Sequence, residues 1–220
     1  LILIDEVRTS AAMREVAAAY QELVGDQKNI AIAMAGLPHA VSSVLNDSVL
    51  TFLNRATKVE LGTISTNLIR AYYERSFSTI GITASDEILD RAALSTRGFP
   101  YLMQLIGYYI IQYTPENGAV TSAIMDKAEK AAMEDMEDNV FKPILSPLSD
   151  NDKIFLKALA QCGGTVTTAE LQNVLGKNGP AIQPYRKRLI EAGIIEAPRR
   201  GELVFAVPYL PEYLLKESNI

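Results

Sequence analysis

Two short all-apolar runs frame the start of the chain: Leu1-Ile2-Leu3-Ile4 and Ile30-Ala31-Ile32-Ala33-Met34-Ala35. A run with no polar alternation is expected to be a strand buried on both faces of a parallel sheet. Between the two, Thr9 or Ser10 can cap a helix whose apolar side is Met13, Val16, Ala17, Tyr20, Leu23 and Val24, and Gly25 stops it. Residues 40–54 read as one or two short helices, and Lys58-Val59-Glu60-Leu61 as a short third strand. Strand, helix, strand, helix, strand is the rhythm of an open α/β sheet.

From Ser65 the strands stop. The periodicity predicts helices at about 65–79, 86–97, 100–113 and 121–138, with Pro100 in a first turn and Thr121 as a cap. Lys142-Pro143-Ile144-Leu145-Ser146-Pro147 reads as a proline-marked connection. Beyond it come a helix over 150–161, a short strand at Thr165-Val166-Thr167, and helices over 168–175 and 180–192. A hairpin around Pro198-Arg199-Arg200-Gly201 and a last helix near 209–216 close the chain. Three helices followed by a two-stranded wing is the winged-helix arrangement. The expected fold is therefore α/β plus all-α, divided at residues 1–64, 65–142 and 148–220.

Hydrophobic residues make up 48% of the chain and charged residues 21%, the mix of a folded globular protein rather than a disordered one. A net charge of −5 does not advertise a nucleic-acid partner for the whole molecule. The single cysteine, Cys162, excludes an internal disulfide and a multi-cysteine zinc site, and reads as a buried small hydrophobe. His39 is the only histidine, which leaves a catalytic triad or a histidine metal cluster little to draw on. No span approaches the ~20 apolar residues of a membrane helix, so no membrane contact is expected and a cytoplasmic location is the default. The chain begins at Leu1 inside an apolar strand, which predicts that something precedes it in the natural protein.

Chemistry enters where the first apolar run ends in Asp5-Glu6, the form of a Walker B segment. A buried parallel strand delivers its acid to the carboxyl end of the sheet, where ligands bind in open α/β folds. There Asp5 can hold Mg²⁺ through water, and Glu6 can orient or deprotonate the water that attacks a γ-phosphate.

The order of segments resembles the AAA+ P-loop ATPases, and more closely their STAND and prokaryotic origin-recognition-like relatives. The resemblance runs from Leu-Ile-Leu-Ile-Asp-Glu through Ala-Met-Ala-Gly-Leu-Pro to Asn54-Arg55-Ala56-Thr57-Lys58-Val59-Glu60-Leu61. It continues through Arg97-Gly98-Phe99-Pro100-Tyr101-Leu102-Met103-Gln104 and the tail, including Val207-Pro208-Tyr209-Leu210. It implies a partial P-loop ATPase domain, a four-helix lid and a C-terminal winged helix. It also implies that Gly98, Pro100 and Tyr101 lie at the adenine-nucleotide site, and it sets Arg55 where many relatives place an arginine finger, beside the plainer reading of a solvated arginine at a helix end.

Two departures point to slow turnover. The sensor position at the end of the second strand, Ala35-Gly36-Leu37, offers only backbone, and Tyr101 stands where many relatives place a sensor arginine. No Gly-x-x-x-x-Gly-Lys-[Ser/Thr] occurs in the 220 residues. ATP or ADP and Mg²⁺ are thus expected in the full-length parent and not tightly on these residues alone. Open sheet edges invite self-association.

In the tail, Gln183, Tyr185, Arg186 and Lys187 on the third helix, with Arg199 and Arg200 on the wing, form a candidate DNA-binding face. The same residues also suit protein contact. The expected function is a nucleotide-dependent switch associated with DNA or protein through its winged helix. The competing reading is a non-enzymatic winged-helix regulator whose Asp5-Glu6 is merely a strand end.

Overall fold

The computed structural model describes residues 1–48 and 50–217; the side chains of Pro38, His39 and Glu217 lie outside the description. The chain divides into two compact units, Leu1–Glu60 with Lys177–Ala206, and Leu61–Gly176 with Val207–Ile220.

In the first unit, β1 (Ile2–Ile4) and β2 (Ile32–Met34) pair in parallel, with Ile2 opposite Ile32 and Ile4 opposite Met34. Helix α1 (Ala11–Gly25) connects them, its first turn capped by Ser10, whose hydroxyl accepts from the Met13 N–H at 3.0 Å. Helix α2 (Pro38–Leu45) and a 3₁₀ turn (Thr51–Arg55) come next. The core gathers Val7, Met13, Ala17, Val44, Leu50 and Leu53, with Ile4 and Met34 packed against it. Leu3 points the other way and is 73% exposed. The apolar runs are therefore covered on one face only, where burial on both was expected. Asp47, buried beyond α2, accepts two bonds from the Arg14 guanidinium, from Nε at 3.1 Å and a terminal nitrogen at 2.7 Å.

The expected strand at Lys58–Leu61 does not form. Val59 and Leu61 are 76% and 90% exposed, so their alternation has no apolar surface to face and no ladder to join. Later in this unit come α10 (Gly179–Glu191), capped by Asn178, and the antiparallel pair β4 (Ile195–Glu196) and β5 (Glu202–Phe205).

The second unit is built on α3 (Thr66–Thr79), α4 (Asp86–Ser95), α5 (Pro100–Tyr113) and α6 (Ser122–Met136). Ser65, Ser85 and Thr121 cap three of them, and Pro100 opens the fourth. Their core includes Ile69, Tyr73, Phe77, Leu89, Ile106, Ile110 and Met125. Gly107 lets α5 approach α3, since a Cβ there would stand 3.0 Å from the Tyr73 ring.

Of residues 142–147, the first four are helical and the last two form a turn. A π-helical turn (Glu137–Phe141) carries α6 directly into α7 (Lys142–Leu145). Pro143 lies inside this continuous helical run, directly after the π-helical turn, and its missing N–H removes one bond of the ladder there. Then come α8 (Asp150–Cys162), β3 (Val166–Thr167), α9 (Thr168–Leu175) and α11 (Leu210–Glu217). Both α8 and α9 start with a full capping box, Ser149 with Asp152 and Thr167 with Glu170. Cys162 is half-buried rather than buried, and its thiol is pushed up by desolvation and by the Glu170 charge. No helix among the described residues is long and apolar enough to cross a membrane.

Candidate functional site

Asp5 and Glu6 stand at the carboxyl end of β1, both exposed. The Asp5 carboxylate accepts from the Glu6 N–H at 2.8 Å through Oδ1. Glu6 takes a left-handed backbone, φ +53°, which a non-glycine residue adopts only at a cost of roughly 1–2 kcal/mol. The next residue, Val7, is buried, and its N–H bonds to the Ala35 carbonyl at 3.0 Å. The turn is thus pinned on both sides while its two carboxylates face solvent. Opposite it, a Cβ on Gly36 would lie 2.9 Å from Cγ2 of Val7 and 3.2 Å from its nitrogen. This close approach accounts for a glycine at position 36.

A single exposed carboxylate with one oxygen engaged is no cage, and no cluster of three or more metal-ligating side chains exists among the described residues. That donor set fits Mg²⁺, which keeps most of its shell as water and phosphate. Arg55 ends the 3₁₀ turn, exposed and without an ion pair among the described residues.

In the second unit the Thr96–Pro100 turn is tightly built. Arg97 and Gly98 are both left-handed, at φ +49° and +78°. The fully buried Thr96 hydroxyl accepts from the Gly98 N–H at 3.1 Å and donates to the Ala93 carbonyl at 2.7 Å. The Gly98 carbonyl accepts from the Ile64 N–H at 2.8 Å. A Cβ on Gly98 would fall 2.7 Å from the Ile64 oxygen. This rigid corner presents Pro100 and Tyr101 at the surface at the start of α5.

Arg97 carries a contact that sequence reasoning missed. Its guanidinium lies 3.6 Å from the centroid of the Tyr209 ring and pairs with the Glu212 carboxylate. The Tyr209 hydroxyl donates to the Ser95 carbonyl at 2.8 Å. Burial, the largest single influence, acts against the charge on Glu212, but the Arg97 hydrogen bond, a backbone hydrogen bond and the Arg97 charge together outweigh it, and the carboxyl is held below its usual range. Both Arg97 and Tyr209 stand in the quoted motifs, yet no periodicity links positions so far apart in sequence.

On α10, Gln183 and Lys187 are exposed one turn apart. Tyr185 is half-buried, with Lys177 Nζ and the Arg188 guanidinium each 5.2 Å from its ring centroid. Arg186 is half-buried, and its Nε is enclosed without a hydrogen-bond partner among the described residues. Lys187 lies 3.8 Å from Glu191. Arg199 and Arg200 are exposed in the turn between β4 and β5, with Arg199 3.9 Å from Glu202. Asp5, Glu6 and Arg55 thus belong to the first unit together with α10 and the hairpin, whereas Gly98, Pro100 and Tyr101 belong to the second.

A family model described as a domain of unknown function (DUF8462) matches residues 138–214, about a third of the chain. No curated protein matches. Among solved structures, a threonine-to-valine variant of Thermotoga maritima RuvB aligns at 19% identity and TM-score 0.52, covering 97% of this chain and 68% of that one. An arginine-to-alanine variant of the same protein aligns at 19% identity and TM-score 0.50, with the same coverage. A third structure, described as the T. maritima RuvB Holliday junction branch migration motor, reaches a TM-score of only 0.49 and carries no weight. At this identity the likeness is one of fold alone.

Proposed function

We propose that these residues are the Walker B-onward part of an AAA+ ATPase that works as a nucleotide-dependent switch. The observation that carries the reading is the placement of Asp5 and Glu6 at the carboxyl end of a parallel strand pair, within a RuvB-like fold. Mg²⁺ bound there would neutralise phosphate charge. Asp5 would hold it through water, and Glu6 would orient the attacking water and take its proton. The Pro100 corner would lie against the nucleotide, with Gly98 fixing its path and Tyr101 beside it. Arg55 would supply a positive charge to a neighbouring copy's γ-phosphate. The backbone-only end of β2 suits slow turnover, and a P-loop, absent from these residues, would complete the site. The STAND or origin-recognition affinity is part of this proposal and rests on the quoted motifs alone.

The test is ATP binding and turnover by the full-length parent beside Asp5→Ala and Glu6→Gln. Glu6→Gln is expected to keep binding and lose turnover by about 10²-fold or more, and Asp5→Ala to weaken the Mg²⁺–ATP state. A parent that neither binds ATP nor responds to either substitution sinks the reading.

For the tail, the order α8–β3–α9–α10–β4–β5 supports a winged helix, with Gln183, Lys187, Arg199 and Arg200 as its exposed polar face. Two observations favour a protein partner over DNA as the second reading: Arg186 is half-buried, and Lys187 and Arg199 each have a nearby carboxylate. A salt titration of duplex binding separates the two. A steep loss of affinity with salt assigns the face to DNA, and absence of binding removes Arg186, Lys187, Arg199 and Arg200 as DNA contacts.

A further inference from the structure

Within the second unit, α7, α8 and α11 enclose an open groove of about 410 Å³. Its floor is apolar, with Leu145 and Leu214 buried beneath it and the Tyr213 ring tilted against Phe141, the centroids 5.2 Å apart. Its walls carry Lys153 and Lys157, with Lys142 already paired to Asp138 at 2.6 Å, and Asp150 is the one carboxylate among the lining residues. Ile154, between the two lysines of α8, is 52% exposed at the groove.

Three features separate this groove from an ordinary surface furrow. First, Lys153 and Lys157 are half-buried along their stems, yet neither meets a carboxylate among the described residues, in a chain whose net charge is −5. Second, the wall at Lys142 is set by the π-helical turn Glu137–Phe141, a rare element that adds a residue per turn and re-aims the helix beyond it. Here it sends Phe141 inward against Tyr213 and is latched by Lys216, 3.5 Å from Glu137. Third, every lining residue falls inside 138–214, the segment matched by the domain model, so the groove belongs to one recurring module.

We propose that this groove docks an acidic amphipathic helix of a partner protein. Lys153 and Lys157 are one helical turn apart, a spacing that faces two carboxylates placed three or four residues apart on a partner helix. An apolar side chain between those carboxylates would cover Ile154 and reach the floor over Leu145 and Tyr213. A phosphate backbone satisfies the lysines but leaves the exposed isoleucine in water, and so fits less well. The proposal is independent of the nucleotide reading, because no residue of the groove belongs to the candidate ATPase site.

The experiment is selection of a displayed library of random dodecapeptides on the full chain, then fluorescence anisotropy of the enriched peptides. Enriched peptides are expected to carry Asp or Glu at i and i+3 or i+4 around an apolar residue. Their affinity is expected to fall by about tenfold or more with Lys153→Glu/Lys157→Glu and with Ile154→Asp. Thermal melts of both variants establish that they fold, and Lys153→Arg/Lys157→Arg is expected to retain binding. Selection that enriches nothing, enriched peptides without acids, or binding indifferent to these variants overturns the proposal. So does a duplex oligonucleotide that displaces the peptides and loses its own affinity in Lys153→Glu/Lys157→Glu, since that outcome assigns the groove to nucleic acid.

Discussion

The Arg97 guanidinium lies 3.6 Å from the Tyr209 ring centroid and also pairs with the Glu212 carboxylate. Arg97 immediately precedes the Gly98–Pro100 corner, so the segment leading into α11 braces the turn that presents Pro100. Replacing Arg97 with Ala is expected to cost about 1–2 kcal/mol, because the ring, the carboxylate and the packed stem all lose their partner. Arg97→Lys should recover only part, since an ammonium cannot lie over the ring and fork to the carboxylate at once. Urea unfolding of the three proteins is the measurement, and equal midpoints would show that the brace contributes nothing.

The same pair gives stability a pH dependence of defined sign. The Glu212 carboxyl is held below its ordinary range in the folded chain, against the opposing effect of burial. A depressed folded pKa contributes stability that is present above the unfolded carboxylate value, about 4.3, and is lost as pH falls through the folded one. Glu212→Gln should therefore be less stable than the native chain near neutrality and converge with it in acid. Parallel stability curves of constant separation across that range would remove Glu212 as the group responsible.

Gly98 is required for two separate reasons, its φ of +78° and the 2.7 Å approach of a Cβ to the Ile64 oxygen. Gly98→Ala is expected to cost about 2–3 kcal/mol. Gly176 shares the left-handed backbone, at φ +61°, but has open space around it. Gly176→Ala should cost only about 1 kcal/mol, the conformational part alone. Chemical denaturation that ranks the two equal would mean the Ile64 contact yields without resistance.

Glu6 carries a backbone penalty at the position proposed to handle water, the kind of local strain that function retains. Glu6→Gly should leave stability within about 1 kcal/mol of native, whereas Glu6→Ile should lose about 1–2 kcal/mol relative to Glu6→Gly. Differential scanning of the pair checks it; an isoleucine variant as stable as the glycine variant would show that the turn is not held left-handed in solution.

The helices were legible because their signals are local. Ser65, Ser85 and Thr121 each announce a first turn, and apolar spacing carries the rest. The strand expected at Lys58–Leu61 fails for the opposite reason: alternation is necessary for a strand, but a partner ladder makes one, and Val59 and Leu61 stay in solvent. The proline-rich stretch after Phe141 reads as a break, yet the helical run passes through Pro143 to Leu145 before the turn at Ser146–Pro147. Asp5 and Glu6 were visible as a strand end with two acids after it. The reason for Gly36 was not, because it lies in the distance to Val7. The Arg97–Tyr209–Glu212 arrangement left no trace in periodicity, since it joins a helix end to residues far downstream.

The division of the chain between its two units sets an order of events during synthesis. The first unit takes in Leu1–Glu60 and then Lys177–Ala206, with the whole of Leu61–Gly176 made in between. At roughly 5–20 residues per second, its opening strands and helices emerge and wait for many seconds before α10 and the hairpin exist to join them. Over that interval the helices of the second unit, whose contacts are close in sequence, can already fold. The nascent chain therefore holds Leu1–Glu60 without its later partner segment Lys177–Ala206 until all of Leu61–Gly176 has been made.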